Sequence, residues 1–269
     1  MIRLEKVRVV FGAGTPDEHT GLDQLTLLVG PGDFITIIGS SGAGKTTLYN
    51  VIAGSCMPTA GRIFIFDAAR DREREITREA EYRRARYIGR IFQNPLLGTA
   101  GKMSLADNMM ICHKKGYKGL TISLTKRMKE TFREQLRLLG MGLENRLNDN
   151  VELFSGGQRQ ALTLLMTVMS RPSLLLLDEH TAALDPRNAE LIMDLTLRFA
   201  REYHLTVLMI THNMAHALEY GNRLLMMDQG EIILDIGATE KARIGAQDIV
   251  QRFRDIKRQD LTSDQLRLS

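Results

Sequence analysis

GSSGAGKTT, Gly39 to Thr47, follows the apolar run Phe34-Ile35-Thr36-Ile37-Ile38 and precedes Leu48-Tyr49-Asn50-Val51-Ile52-Ala53. A buried strand, then G-x-x-x-x-G-K-T, then a helix-prone segment is the order in which a phosphate-binding loop is built. Glycines at 39, 42 and 44 admit backbone conformations that a side chain forbids, and they let several N–H groups converge on one anion. The helix expected from Lys45 adds roughly half a positive charge at its N-terminus, so a triphosphate is the expected guest. Gly39, Ser40, Ser41, Gly42, Ala43, Gly44, Lys45, Thr46 and Thr47 are the candidate nucleotide contacts. Lys45 is placed to meet the β and γ phosphates, and the Thr46 hydroxyl to take one Mg²⁺ position. A glycine-rich turn with an incidental lysine is the plain alternative, and the strand and helix on either side argue against it.

The chain has 269 residues, 43% of them apolar, enough to bury a full α/β core. Its formal net charge is +4, and basic and acidic residues are interleaved throughout, which gives no reason to expect nucleic acid. The densest charged run, Arg70-Asp71-Arg72-Glu73-Arg74-Glu75 continuing to Arg83-Arg84-Ala85-Arg86, has opposite signs at helical neighbour spacings and predicts a solvated helix face. Cys56 and Cys112 have no metal-ligand spacing around them and read as reduced thiols of a cytosolic protein. Residues 1–6 lack an apolar h-region, so no signal peptide is expected, and no run of about 18 apolar residues is present to span a bilayer.

Before the phosphate loop, residues 4–11 and 25–29 read as strands, and 12–21, rich in Gly, Thr, Pro and Asp, as the loop between them. Phe11, at the end of the first strand, is either a core side chain or a flat face for a purine to stack on. Strands are predicted over 61–66 and 87–92 with a charged helix over 77–86 between them. Beyond Gln93 the strand signals thin out, and helices are expected over 104–112 and 124–139, the latter with Leu124, Met128, Phe132, Leu136 and Leu139 on one face. This reads as a helical lobe inserted into an α/β core. Strands resume at 173–177 and 206–210, with a helix over 188–202 between them. A final pair, 223–227 and 231–234, is joined by the turn Asp228-Gln229-Gly230. Residues 241–269 are polar and expected to be helical.

The buried run at 174–177 ends in Asp178-Glu179. A carboxylate at that strand end can hold Mg²⁺, and the next, Glu179, is placed to polarise a water facing the γ-phosphate. Gln93 lies just past a strand, where its amide can touch metal and water. His212 follows the apolar strand 206–210 and can reach a γ-phosphate oxygen, whereas His19, His113, His204 and His216 carry no such expectation. Asp185 passes for a turn residue before a helix. Ser155-Gly156-Gly157-Gln158 opens another helix and forms a second anion site by the same physics as the first. One nucleotide is not easily gripped by both helix starts within one monomer, and two subunits head to tail would solve this.

GSSGAGKT, Gln93, FSGGQ at 154–158, LLLLDE at 174–179, AALD at 182–185 and ITHN around His212 stand in an order that resembles the ATP-binding subunit of an ABC transporter, over residues 1 to 240. That resemblance implies two ATP molecules sandwiched between two copies. Each would be held by one copy's phosphate loop and by Ser155, Gly156, Gly157, Gln158 and Asp185 of the other. It makes Phe11 the adenine-stacking ring, gives Lys45, Thr46, Thr47, Gln93 and Asp178 to MgATP with Thr46, Gln93 and Asp178 on the metal, and makes Glu179 the base and His212 the γ-phosphate sensor. Phe154 departs from the family's usual Leu, an apolar swap that leaves the anion site intact. His180 is given no chemistry.

The implied fold is α/β, a P-loop NTPase core with a mostly parallel sheet and an N-terminal antiparallel β subdomain, plus an inserted α-helical subdomain. One ABC ATPase domain is expected over 1–240, its core over 1–93 and 160–240 and the helical subdomain over about 94–159. Residues 241–269 form a tail. Implied partners are a second ATPase subunit, most simply another copy, integral membrane permease subunits, and an extracytoplasmic substrate-binding protein. The location is then the cytoplasmic face of the membrane. Leu96, Leu97, Met103, Met109 and Met110 are candidates to line the permease groove or to fill the core. DEHTAALDP and the long loop 12–21 resemble ATPases of bacterial uptake systems, some of which serve aromatic amino acids. A soluble ABC ATPase acting on nucleic acid or ribosomes is the alternative. The stretch from Lys45 to Ser155 lacks the heptads of a long coiled coil, and the single cassette does not match the paired cassettes usual in ribosome-acting members.

Overall fold

The computed structural model describes residues 2–67, 72–113 and 124–267. In chain order these form β1 (Ile2–Phe11), β2 (His19–Val29), β3 (Phe34–Gly39), α1 (Lys45–Ala53), β4 (Ala60–Asp67), β5 (Arg72–Glu75), α2 (Glu81–Arg84) and β6 (Ile88–Ile91). Then come α3 (Leu105–His113), α4 (Lys126–Arg137), α5 (Gly156–Met169), β7 (Leu174–Asp178), α6 (Pro186–Glu202), β8 (Thr206–Ile210) and α7 (Met214–Glu219). The chain ends in β9 (Arg223–Asp228), β10 (Glu231–Ile236), α8 (Ala238–Lys241) and α9 (Ala246–Arg267).

Two sheets organise the fold. The six-stranded sheet has the order β10-β9-β3-β8-β7-β6, parallel throughout except for the β9–β10 hairpin. Its central strands β3, β7 and β8 carry apolar residues on both faces because helices cover both, as parallel strands require. The C-terminal ends of β3 and β7 therefore open at one edge, where Gly39 and Asp178 sit. The four-stranded antiparallel sheet, β2-β1-β4-β5, packs Leu4, Val7, Leu25, Ile63 and Ile65 against Leu48 and Ile52 of α1. A second core joins α3, α4 and α5 to α6 and the other face of the parallel sheet.

Several expectations are corrected. The first loop is shorter than 12–21, because β2 begins at His19 and extends the strand expected at 25–29 by cross-strand pairing with β1. The charged run is not a helix face. Residues 72–75 form the edge strand β5, where Arg and Glu alternate on the two faces, while Arg70 and Asp71 lie outside the described residues. The helix expected over 77–86 contracts to the four residues of α2. Met109 and Met110 are core residues of α3, whereas Leu96, Leu97 and Met103 are exposed. The stripe on α4 faces inward as its spacing predicts, with Phe132, Leu136 and Leu139 buried. The β9–β10 turn has φ of 47° at Gln229 and 85° at Gly230, the two left-handed residues of a type I′ hairpin. The C-terminal helix is anchored at its start, where Ile249 packs with Ala217, Leu224 and Ile236.

Candidate active site

The phosphate loop leaves β3 at Gly39 and enters α1 at Gly44, and tight backbone packing explains both glycines. A Cβ on Gly39 (φ 152°) would stand 2.3 Å from the Met227 carbonyl oxygen, and one on Gly44 (φ 95°) 2.6 Å from that of Gly21. No side chain caps α1, so its first N–H groups are left for an anion. Lys45 Nζ donates to the carbonyls of Gly39 and Ser40, 2.8 Å to each, inside the loop it would serve. Burial holds this ammonium below the usual lysine range, opposed by the charges of Glu179 and Asp178.

Beside the loop lies a cavity of about 370 Å³ lined by Phe11, His19, Thr20, Gly21, residues 41–47, Glu179 and His212. Phe11 thus forms part of its wall, its ring stacked on His19 at 5.1 Å between centroids. His212 Nε2 lies 2.5 Å from Glu179 Oε1. Glu179 has φ 48°, left-handed in a residue with a β-carbon, and its N–H donates to the Ile210 carbonyl at 3.2 Å. That turn swings its carboxylate out of the sheet and toward the loop.

Other expected residues stand outside this lining. Asp178, at the end of β7, receives Arg90 Nη2 on Oδ2 at 3.2 Å, and Arg90 Nη1 reaches Asn50 Oδ1 of α1 at 2.8 Å. Gln93 is exposed past β6. Ser155 caps α5: its Oγ accepts from the Gln158 N–H at 3.2 Å, and Gln158 Oε1 accepts from the Ser155 N–H at 3.1 Å. Because Oγ accepts in the cap, its own proton remains to be donated. Asp185 caps α6 by accepting from Asn188, and those hydrogen bonds hold its carboxyl below the usual range. Asn188 also fills the space over Gly157, where a Cβ would meet its Cγ at 2.7 Å.

His19, Thr20 and Gly21 were not expected in the pocket, nor Arg90 beside Asp178. The start of β2 depends on its pairing with β1, and Arg90 meets Asp178 only because β6 and β7 are sheet neighbours. His180 is fully buried, its Nε2 3.2 Å from Thr196 Oγ1, and burial and the charge of His216 lower its pKa to about 4.

The residues fit a nucleotide: uncapped helix N–H groups, an ammonium and flat rings converge on one cavity. Thr46 and Asp178 offer the hard oxygens that suit Mg²⁺. The fold and pocket together define an α/β nucleoside triphosphatase of the P-loop class.

Comparison with known proteins makes this specific. A family model described as ABC transporter matches residues 22–182. A tyrosine transport ATP-binding protein of Clostridioides difficile (strain R20291) is 37% identical over 254 residues, covering 94% of this chain and 98% of its own. The methionine import ATP-binding protein MetN 1 of Bacillus thuringiensis subsp. konkukian (strain 97-27) is 34% identical over 235 residues, and the matched part is 87% of this chain and 65% of that longer protein. The ADP conformation of MJ1267, an ATP-binding cassette of an ABC transporter, superposes with a TM-score of 0.74 at 25% identity, over 94% of this chain and 98% of its own. The chain belongs to the ABC transporter family, as an ATP-binding cassette that hydrolyses ATP. Among the described residues no helix is long and apolar enough to cross a membrane.

Proposed function

We propose that this chain powers a separate membrane permease, coupling ATP-driven closure of a dimer of cassettes and hydrolysis to the import of a small solute, an amino acid before other classes. The names of its relatives support import: tyrosine transport, methionine import and, at 32% identity, phosphonates import in Ruegeria sp. (strain TM1040). The cassette would sit on the cytoplasmic face, held there by the permease, with an extracytoplasmic binding protein delivering the solute. It would not engage nucleic acid.

One observation carries the reading. The phosphate loop, Glu179 and His212 share a cavity, while Ser155, Gly156, Gly157, Gln158 and Asp185 lie outside its lining at a second pair of helix starts, where Ser155, Gly156 and Asp185 are exposed. A second copy placed head to tail brings that pair over the phosphates. Phe11 then stacks the adenine, and the α1 N–H groups, Lys45 and Thr47 hold the phosphates. Thr46, Gln93 and Asp178 would hold Mg²⁺, which when bound neutralises charge on the phosphate oxygens. Glu179 accepts a proton from the water whose oxygen attacks the γ-phosphorus, the bond to the β–γ bridging oxygen breaks, and ADP and phosphate result. His212 fixes the Glu179 carboxylate and faces the γ-phosphate. Loss of the bridging γ-phosphate lets the dimer open.

The purified chain should hydrolyse ATP only with a divalent cation, and Lys45→Ala should abolish turnover in a phosphate-release assay. Cation-independent turnover, or a fully active Lys45→Ala protein, would contradict the assignment. Co-purification in mild detergent should bring down a permease, and recovery of ribosomes or nucleic acid instead would overturn the transport reading.

A further inference from the structure

Gln160 lies in α5, is buried, and lines no part of the nucleotide cavity. Its Nε2 donates to the carbonyls of His180, at 2.7 Å, and of Phe92, at 3.3 Å. A primary amide carries two N–H groups, and here each has one carbonyl to serve. The orientation is thereby fixed, because a flipped amide would set its oxygen against two others.

The two acceptors stand at chosen places in the chain. Phe92 is the residue before Gln93, and His180 the residue after Glu179. Both lie just past the ends of β6 and β7, where the chain leaves the sheet and its carbonyls lose their ladder partners, so each needs a donor from elsewhere. The donor comes from the helix that Ser155 caps. Glu179 is also the residue of this loop in a left-handed conformation, which persists only where its surroundings over-determine it. Ile210 holds the loop on one side through the Glu179 N–H, and Gln160 holds it on the other through the His180 carbonyl.

We infer that Gln160 is a positioning residue for hydrolysis, which ties the backbones carrying Gln93 and Glu179 to the helix that begins at Ser155. It touches neither nucleotide nor water and acts through the two carbonyls. The inference rests on the reading of Glu179 as base. A glutamine that only satisfied buried carbonyls would change stability alone. One that places Glu179 changes kcat while the phosphate loop, and with it KM for ATP, stays as it was.

The test compares wild-type full-length protein with Gln160→Met, which keeps length and loses both donors, and Gln160→Asn, which keeps the amide one methylene short. Both should bind ATP with KM within about twofold of wild type and lose kcat on the order of tenfold to a hundredfold. Amide hydrogen exchange should quicken at 92–94 and 179–181 and stay unchanged in α1. A folded variant whose kcat stays within twofold of wild type, or whose KM rises in step with the loss of kcat, overturns the inference, as does unchanged exchange at both segments. An inactive wild type would instead sink the reading of Glu179, and the exchange data would still report whether Gln160 holds the two loops.

Discussion

Glu179 holds a left-handed backbone that costs a residue with a β-carbon about 1–2 kcal/mol, and the site makes use of it to turn one carboxylate away from Asp178 and into the cavity. Glu179→Gln should keep ATP binding and lower turnover by about 10²- to 10⁴-fold, the usual worth of a general base, in a single-turnover assay. Wild-type turnover in that variant would remove Glu179 from the role. Glu179→Gly should be equally inactive yet about 1 kcal/mol more stable to urea than Glu179→Ala, because only the strain is relieved. Gly39→Ala should lose nucleotide affinity and stability together, since a methyl 2.3 Å from the Met227 carbonyl must push β3 from β9; unchanged affinity in a fluorescent-nucleotide titration would refute that. At this scale the sequence was legible wherever chemistry is written in consecutive letters: Lys45 in its loop, Glu179 after its strand, His212 after another. His19, Arg90 and Gln160 were not legible. Each gains its neighbours from pairing or packing between distant segments, and no local spacing marks them.

Elements were legible where one period dominated. The apolar runs of β3, β7 and β8 and the stripe of α4 left little choice. The charged segment misled because R-E-R-E satisfies two periods at once, helical neighbours and strand alternation, and pairing with β4 decides between them. The short helix α2, after β5, is held by one side chain. Arg84 is completely buried and donates to the carbonyls of Val51, Ile52, Thr77 and Glu79 at 2.6–3.0 Å, so it closes the C-terminal end of α1 and fastens α2 to it. Arg84→Ala strands those carbonyls and should cost about 3–5 kcal/mol in urea unfolding. Arg84→Lys should recover only part, having no fork to reach both the end of α1 and the carbonyls of Thr77 and Glu79. A loss below about 1 kcal/mol for Arg84→Ala would show that water or rearrangement replaces the guanidinium.

For the whole molecule, the proposed shared pocket rests on two separated helix starts in each cassette, α1 uncapped and α5 capped by its own serine with a proton to spare. Both helix starts were legible in the sequence; what the chain cannot spell is their distance, which only the fold sets. The most direct test is light scattering of the Glu179→Gln protein, in which hydrolysis cannot reopen the assembly. With MgATP it should run at twice the monomer mass, return to monomer when EDTA removes the cation, and fail to dimerise when Ser155→Arg is added. A Glu179→Gln protein that binds MgATP tightly and remains a monomer, or that dimerises as well with the Ser155→Arg change as without it, would contradict the shared pocket.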